Sequence, residues 1–174
     1  MSKVERNIVL IGFMGAGKTT VGKELSRILG LRFVDLDQAI EEEANQTIQT
    51  IFKTEEESGF RKRERSLFHK LSKQSDIIFS LGGGAFLQEE IQAACLTDSL
   101  VIFLDIDFSI WSERIPLLQK DRPLLQQKSL EEMKELYTSR KQSYSKAHLI
   151  IQTGRLTPPQ TAEKIAKTIH HAKA

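Results

Sequence analysis

Five short apolar runs constrain the fold of this chain more than any other feature of its sequence. They lack the polar alternation of a half-solvated sheet, which is expected when helices cover both faces of a parallel sheet. Between the runs, apolar residues recur at spacings of three and four, as at Val21, Leu25 and Ile28, which is typical of helices. This alternation predicts a doubly wound α/β fold, with strands at 7–11, 31–34, 77–79, 100–104 and 149–151.

Length, composition and charge exclude several classes of protein. The 174 residues, 40% hydrophobic and 28% charged, predict one globular domain over residues 1–174. A net charge of +2 is too small for a protein whose main task is to bind nucleic acid, and the run at 100–104 is too short to span a membrane. Because Cys95 is the only cysteine, neither an internal disulfide nor a zinc site built from cysteines is possible. We expect a cytoplasmic protein, a monomer by default, with no nucleic-acid or membrane partner.

A glycine-rich segment follows the first predicted strand. Gly12–Thr19 reads Gly-Phe-Met-Gly-Ala-Gly-Lys-Thr and matches the P-loop pattern, between a strand and a helix. Glycines let backbone N–H groups converge on phosphates, and the N-terminus of the helix adds its positive dipole. Lys18 is expected to reach the β- and γ-phosphates, and the Thr19 hydroxyl to complete a magnesium shell. The alternative, a glycine-rich turn with a surface lysine, does not explain the strand–loop–helix context.

Two carboxylates follow the second predicted strand, at Asp35 and Asp37. Their i, i+2 spacing is expected to send both side chains the same way at the strand end, beside the P-loop. Phosphoryl transfer needs an acid near magnesium and an acceptor for the proton of the attacking hydroxyl. The alternative for Asp37 is that it only caps the helix that follows.

A charged stretch at 55–65 is best interpreted as a solvated helix face, with an i, i+4 pair between Glu57 and Arg61. We expect most of its remaining charges to lie on the surface, namely those of Lys62, Arg63 and Arg65.

Three consecutive glycines at 82–84 follow another strand end, and their N–H groups are available to an anion or a hydroxyl. The alternative is a tight turn, but such a turn rarely needs three glycines.

The segment at 115–128 has two of the four prolines of the chain and no clear helical or strand period. A loop of this length in a compact domain indicates a functional lid or a disordered insert. We expect a mobile lid, and the alternative to it is a static surface loop that packs through its leucines. A helix is predicted to resume after Ser129, which forms a capping box with Glu132.

Six ordered motifs resemble the shikimate kinase family over nearly the whole chain. They are Gly-Phe-Met-Gly-Ala-Gly-Lys-Thr-Thr at 12–20, Phe-Val-Asp-Leu-Asp at 33–37, Phe-Arg-x-x-Glu at 60–64, Gly-Gly-Gly-Ala at 82–85, Arg-Pro-Leu-Leu at 122–125 and Arg-x-x-x-Tyr at 140–144. The resemblance implies the P-loop kinase fold, with a five-stranded parallel sheet flanked by helices and a mobile lid. It also implies transfer of the γ-phosphate of ATP to the 3-hydroxyl of shikimate, a step toward chorismate and the aromatic amino acids.

The resemblance also implies a role for each matching residue. Asp37, Arg61, Gly83 and Arg140 are the residues implied to bind shikimate, and Asp37 is also the base or orienting group. Glu64 is implied to fix the guanidinium group of Arg61. The resemblance implies that the nucleotide is bound by Gly15, Ala16, Gly17, Lys18, Thr19 and Thr20, and that Arg122 closes over the phosphates from the lid. Arg114 and the segment from Arg155 to Pro158 are expected on the adenine face, and Thr19 and Asp35 at Mg²⁺. The catalytic group is thus Lys18, Asp37 and Arg122.

Three other classes remain for comparison. A gluconate-type or nucleoside monophosphate kinase would not need Arg61, the glycine triplet and Arg140 together. A GTPase-like switch is disfavoured because the chain has no Asn-Lys-x-Asp motif for guanine. A silent homologue that only binds nucleotide is not favoured either, because the residues expected for catalysis are all present.

Overall fold

The structure is a computed structural model and describes residues 6–172. Five strands form one parallel sheet in the order β2-β3-β1-β4-β5. The strands are β1 (Asn7–Ile11), β2 (Arg32–Asp35), β3 (Ile77–Ser80), β4 (Ser99–Asp105) and β5 (Leu149–Gln152). Each lies within one residue of the predicted run, and the predicted α/β class is confirmed.

Nine helices accompany the strands within the described range, and the last of them follows β5. They are α1 (Lys18–Leu29), α2 (Leu36–Ala44), α3 (Ile48–Ser72), α4 (Glu89–Asp98), α5 (Phe108–Ser112), α6 (Ile115–Asp121), α7 (Pro123–Gln126), α8 (Leu130–Tyr144) and α9 (Pro158–Ala172), with a short 3₁₀ turn at Ala85–Leu87. Over residues 6–172, no helix combines the length and the apolar character that a membrane crossing requires.

Apolar side chains on both faces of the sheet form the core. Along β1, Ile8 and Leu10 pack with residues of α1 and α9, while Val9 and Ile11 pack with residues of α3 and α4. This is the period-two alternation of a strand whose two faces are both covered. β1 lies between β3 and β4, so the strand order reverses at its carboxyl end, where ligands bind in open α/β sheets.

Two predicted helix starts have the expected caps. The Ser129 hydroxyl accepts a hydrogen bond from the Glu132 backbone N–H at 3.2 Å, directly before α8. The Thr157 hydroxyl accepts from the Gln160 N–H at 3.3 Å before α9, whose first residues are prolines. Both caps satisfy N–H groups that a helix start leaves unpaired.

The segment at 115–128 is not one long loop, and that expectation is wrong. It contains α6 and the one-turn α7, and each begins with a proline in its first turn. Proline is tolerated there because the first N–H groups of a helix have no partner within it. Helices of seven and four residues complete too few turns to display an apolar period. The mobility of this segment as a lid stays a prediction.

The charged stretch lies in α3, which is kinked at Glu56, where φ is 62°. The predicted i, i+4 pair is confirmed, with 3.5 Å between Arg61 Nη2 and Glu57 Oε1. Arg63 and Arg65 are not simply solvated, because Arg63 binds Glu55 through two hydrogen bonds and Arg65 donates to Gln88 at 2.7 Å.

Candidate active site

The P-loop lies between the carboxyl end of β1 and the start of α1. Gly15 and Gly17 have φ values of 75° and 95°, in the left-handed region that favours glycine, and Gly17 is the N-cap of α1. Ala16 lies between them and is buried, with its N–H donating to the Phe13 carbonyl at 3.0 Å. Thr20, on the first turn of α1, donates its hydroxyl to the Gly17 carbonyl at 3.1 Å. The loop therefore has the strand–loop–helix geometry that its sequence predicts.

Lys18 lies inside the curve of this loop. Its Nζ donates to the carbonyl oxygens of Gly12 and Phe13, at 2.7 and 3.3 Å. Burial, and to a smaller extent the positive charge of Arg122, lowers the pKa of Lys18 to about 8, while Asp37 acts in the opposite direction. An anion in the loop would raise this pKa and so favour the charged form further.

Asp35 and Asp37 have different structural settings. Asp35 is the last residue of β2 and caps α2, because its Oδ1 accepts from the Gln38 N–H at 3.2 Å. Its Oδ2 accepts from the Thr19 hydroxyl at 2.9 Å, so two hard oxygen groups meet beside Lys18.

Asp37 belongs to the first turn of α2 rather than to a strand end, and Asp35, not Asp37, is the cap of that helix. The predicted strand-type i, i+2 arrangement is therefore wrong, because the chain turns helical at Leu36. Burial raises the pKa of the Asp37 carboxyl, and the negative charge of Asp35 raises it further. The positive charges of Lys18, Arg122 and Arg61 act in the opposite direction. Asp37 thus lies near the P-loop by a route that the sequence did not predict.

Each glycine of the triplet lies against a different side chain. A Cβ atom on Gly82 would lie 2.8 Å from Asp37 Oδ1, and one on Gly83 would lie 2.5 Å from Arg140 Nη1. A Cβ atom on Gly84 would collide with the Arg61 guanidinium. The backbone after β3 therefore approaches all three charged groups more closely than any side chain would allow.

Arg61 is held by a buried carboxylate one helical turn away, as the resemblance implied. Its Nη1 donates to Glu64 Oε1 at 2.6 Å, and the same oxygen accepts from Gln88 Nε2 at 2.9 Å. Glu64 is 1% exposed, and burial raises its pKa to about 7 against the opposing effect of Arg61. Its Oε2 has no hydrogen-bond partner among the described residues.

Arg140 lies on α8 beside Tyr144. The Tyr144 hydroxyl donates to the Gly83 carbonyl at 2.6 Å, which fixes α8 to the glycine triplet. Burial raises the pKa of Tyr144, while the nearby charge of Arg140 lowers it. Within residues 6–172, the buried Nε of Arg140 has no hydrogen-bond partner. A half-buried arginine with an unused buried N–H donor suits an anionic ligand.

The remaining predicted residues lie around the P-loop. Arg122 is exposed, between α6 and α7, and its charge acts on both Lys18 and Asp37. Arg114 lies at the start of α6, and its Nη1 donates to the Gly15 carbonyl at 2.6 Å. Arg155 is an exposed residue that pairs with Glu113 through two hydrogen bonds of 2.9 and 3.0 Å. The structure thus brings Arg114 and Arg122 to the P-loop and leaves Arg155 at the surface.

Sequence reasoning did not identify Gln88 or Trp111. Gln88 links Arg65 to Glu64, and the indole of Trp111 donates to the Met14 carbonyl at 2.7 Å. Neither residue belongs to a motif with a fixed spacing. The fact that Trp111 is the only tryptophan was the one available signal.

The arrangement combines a glycine-rich loop of the phosphate-binding type with two arginines and the half-buried carboxylate of Asp37 at the same edge of the sheet. Arginine pairs suit a carboxylate or phosphate ligand, and a carboxylate beside them can accept a proton from a hydroxyl. The chemistry that this geometry supports is phosphoryl transfer to a hydroxyl of a small anionic molecule.

Comparisons with known proteins agree with this geometry. The sequence model described as shikimate kinase matches residues 14–170. Shikimate kinase of Oceanobacillus iheyensis is 41% identical over 165 residues, which cover 95% of this chain and 90% of the relative. Shikimate kinase of Bacillus subtilis is 43% identical over 170 residues, with 95% and 89% covered.

A solved structure extends the similarity from sequence to fold. It is the shikimate kinase from Acinetobacter baumannii in complex with shikimate, which has a TM-score of 0.90 and 34% identity. The similarity covers 98% of this chain and 96% of the solved chain. Since sequence and fold agree over nearly the full length of both chains, this chain belongs to the shikimate kinase family.

Proposed function

We propose that this chain carries out the reaction of its family, the transfer of the γ-phosphate of ATP to the 3-hydroxyl of shikimate. The products are shikimate 3-phosphate and ADP, on the route to chorismate and the aromatic amino acids. The observation that supports this most directly is the glycine triplet, whose residues lie against Asp37, Arg140 and Arg61. These are the charged groups that a small hydroxylated carboxylate requires, and they lie beside the P-loop.

On the nucleotide side, the P-loop backbone binds the phosphates of ATP through residues 15–20. Lys18 withdraws from the carbonyl groups it contacts and stabilises the negative charge that is transferred, with Arg122 on the opposite side. Arg114 and the segment from Arg155 to Pro158 contact the adenine. Arg114 already lies at the P-loop, whereas Arg155 would have to leave Glu113 to do so.

Thr19 and Asp35 are the residues that would hold Mg²⁺. Their hydroxyl and carboxylate oxygens lie 2.9 Å apart, and hard oxygen ligands suit this ion. When bound, Mg²⁺ neutralises phosphate charge. Asp35 acts through water molecules of the ion, because Mg²⁺ loses its waters reluctantly and the carboxylate also caps α2.

On the acceptor side, Arg61 and Arg140 bind the shikimate carboxylate, and Asp37 and the Gly83 N–H hold its hydroxyls. Asp37 orients the 3-hydroxyl and accepts its proton. Its raised pKa, which follows from burial and from Asp35, makes it a stronger base than an exposed aspartate.

The segment at 115–128 acts as a lid that closes over the nucleotide and excludes water from the γ-phosphate. The whole chain, residues 1–174, works as one cytoplasmic domain and as a monomer, with ATP and shikimate as its partners and no nucleic acid or membrane.

A coupled ADP-release assay tests the reaction. The protein is given ATP and Mg²⁺ with shikimate, gluconate or a nucleoside monophosphate, and we expect ADP release that depends on shikimate alone. Asp37→Asn should lower kcat with shikimate at least about a hundredfold, because the proton acceptor is removed. Equal rates with gluconate, or an undiminished rate in the variant, would contradict the proposal.

A further inference from the structure

Two carbonyl groups at the crest of the P-loop accept hydrogen bonds from a distant part of the chain. Trp111 Nε1 donates to the Met14 carbonyl at 2.7 Å, across 97 positions of sequence. Arg114 Nη1 donates to the Gly15 carbonyl at 2.6 Å. The side chain of Leu118 packs against Gly15 so closely that a Cβ atom there would lie 2.8 Å from it. The outer side of the loop therefore rests on the segment that follows β4.

Trp111 is held in a single position. It is fully buried on α5, with its ring edge-to-face against Phe13 at 4.9 Å and tilted against Phe108 at 5.5 Å. Because packing fixes the ring, its N–H has a fixed direction, and the bond to Met14 defines where that carbonyl group points.

The direction of this carbonyl group determines what the loop offers to phosphate. The Met14 carbonyl and the Gly15 N–H belong to one planar trans peptide, so the two groups point in opposite directions. With the carbonyl held outward, the N–H is directed toward the inside of the loop. A rotated peptide would instead present a carbonyl oxygen to the phosphate oxygens, which repel it.

We infer that Trp111 is a positioning residue for phosphate binding, which acts by holding the Met14–Gly15 peptide with its N–H inward. This inference rests on the proposed function in one respect, namely that the P-loop binds the phosphates of ATP. It assigns to Trp111 a role that no P-loop motif contains.

The test compares two substitutions in the same aromatic cluster. Trp111→Phe removes the N–H donor and keeps a ring against Phe13. Tyr137→Phe is the matched control, because the Tyr137 hydroxyl donates to the Ile106 carbonyl at 2.6 Å and its ring lies 5.4 Å from Phe13. Each variant leaves one buried carbonyl group without its donor, but only Trp111→Phe does so in the P-loop.

Calorimetry with inorganic pyrophosphate, ADP and shikimate gives the readout. We expect Trp111→Phe to weaken the binding of pyrophosphate and of ADP by the same factor, at least about fivefold. Its affinity for shikimate should stay within about twofold of that of the parent. Tyr137→Phe should lower the Tm less, because it removes a hydroxyl without leaving a cavity, and should leave all three affinities unchanged. If both variants retain full pyrophosphate affinity, or both lose it equally, the inference is wrong. Phosphorylation of shikimate by the parent protein is a separate result, so the two proposals fail separately.

A second measurement needs no variant. Because Trp111 is the only tryptophan, its indole N–H gives one resonance in a nitrogen-15 spectrum of the labelled protein. Pyrophosphate should shift that resonance and slow its exchange with solvent, as phosphate locks the peptide to which it is bonded. If saturating pyrophosphate changes neither the position nor the solvent exchange of the indole resonance, the inference is overturned, even if Trp111→Phe fails to fold.

Discussion

The two halves of the proposed site are built in different ways. The phosphate half is residues 12–20, and the acceptor half is formed by Asp37, Arg61, the glycine triplet and Arg140. The phosphate half is one continuous segment from the end of β1 into the first turn of α1, in which we propose that backbone N–H groups bind phosphate. The acceptor half takes single side chains from α2, α3 and α8 and brings them to one short loop after β3. A local motif can specify the first half, whereas the second exists only when the whole sheet and its helices are folded.

The largest effect that separates the halves is expected from Lys18→Ala. It should lower kcat at least about a thousandfold, because phosphoryl transfer depends on electrostatic stabilisation of the transferred group. The ADP-release assay measures this, with Lys23→Ala as control, since Lys23 is exposed on the same helix. Shikimate affinity should be unchanged in calorimetry. A kcat within tenfold of the parent would exclude this role for Lys18.

Arg61→Ala and Arg140→Ala should each weaken shikimate binding by about 2–5 kcal/mol, because the substrate carboxylate then loses one of its two arginine partners. The affinity for ADP without shikimate should barely change. Lys62→Ala is the matched control for Arg61, because Lys62 is the next residue of α3 and is exposed. Equal losses of affinity for ADP and for shikimate, measured by calorimetry, would show that the two halves do not bind their ligands independently.

Arg122→Ala tests the part of the chain that joins the halves. It should lower kcat about a hundredfold or more and leave the Tm nearly unchanged, because Arg122 is exposed and adds little to the core. Hydrogen exchange is the independent measurement. Amides of residues 115–128 should gain protection when an ATP analogue and shikimate are both bound, and equal protection with and without them would refute the lid.

The smallest effect concerns the pH dependence of stability in the acceptor half. Burial raises the pKa of Glu64 to about 7, from 4.5 in the unfolded chain, so the folded state holds more protons between these values. This carboxyl group therefore makes stability fall as pH rises from about 4.5 to 7. Glu64→Gln should flatten that part of the profile relative to the parent, measured by denaturant unfolding at pH 5 and pH 7.5. Parallel profiles of the two proteins would contradict this.

The same distinction between local features and tertiary contacts explains what could be predicted from sequence. The five strands were predicted to within one residue. The central strands β1, β3 and β4 are apolar runs that are buried along nearly their whole length, because helices cover both of their faces, whereas the edge strands β2 and β5 are only partly buried. The cap at Ser129 was also predicted correctly, because it depends on a spacing of three residues.

The errors have a common physical origin. Asp37 was placed at a strand end because the sequence does not show that the chain turns helical at Leu36, and α6 and α7 are too short for a periodic pattern. The bonds from Trp111 to Met14 and from Gln88 to Glu64 join residues whose contact depends on tertiary packing. No local spacing indicates such bonds.

The glycine triplet has a consequence for how this enzyme can diverge. Its three adjacent residues are matched to three charged side chains from three different helices, one glycine to each. A point substitution of Asp37, Arg61 or Arg140 alters one contact and leaves the other two in place. An insertion or deletion within residues 82–84 would shift all three contacts at once. A new acceptor specificity can therefore evolve by replacing these side chains one at a time, but not by changing the length of this loop.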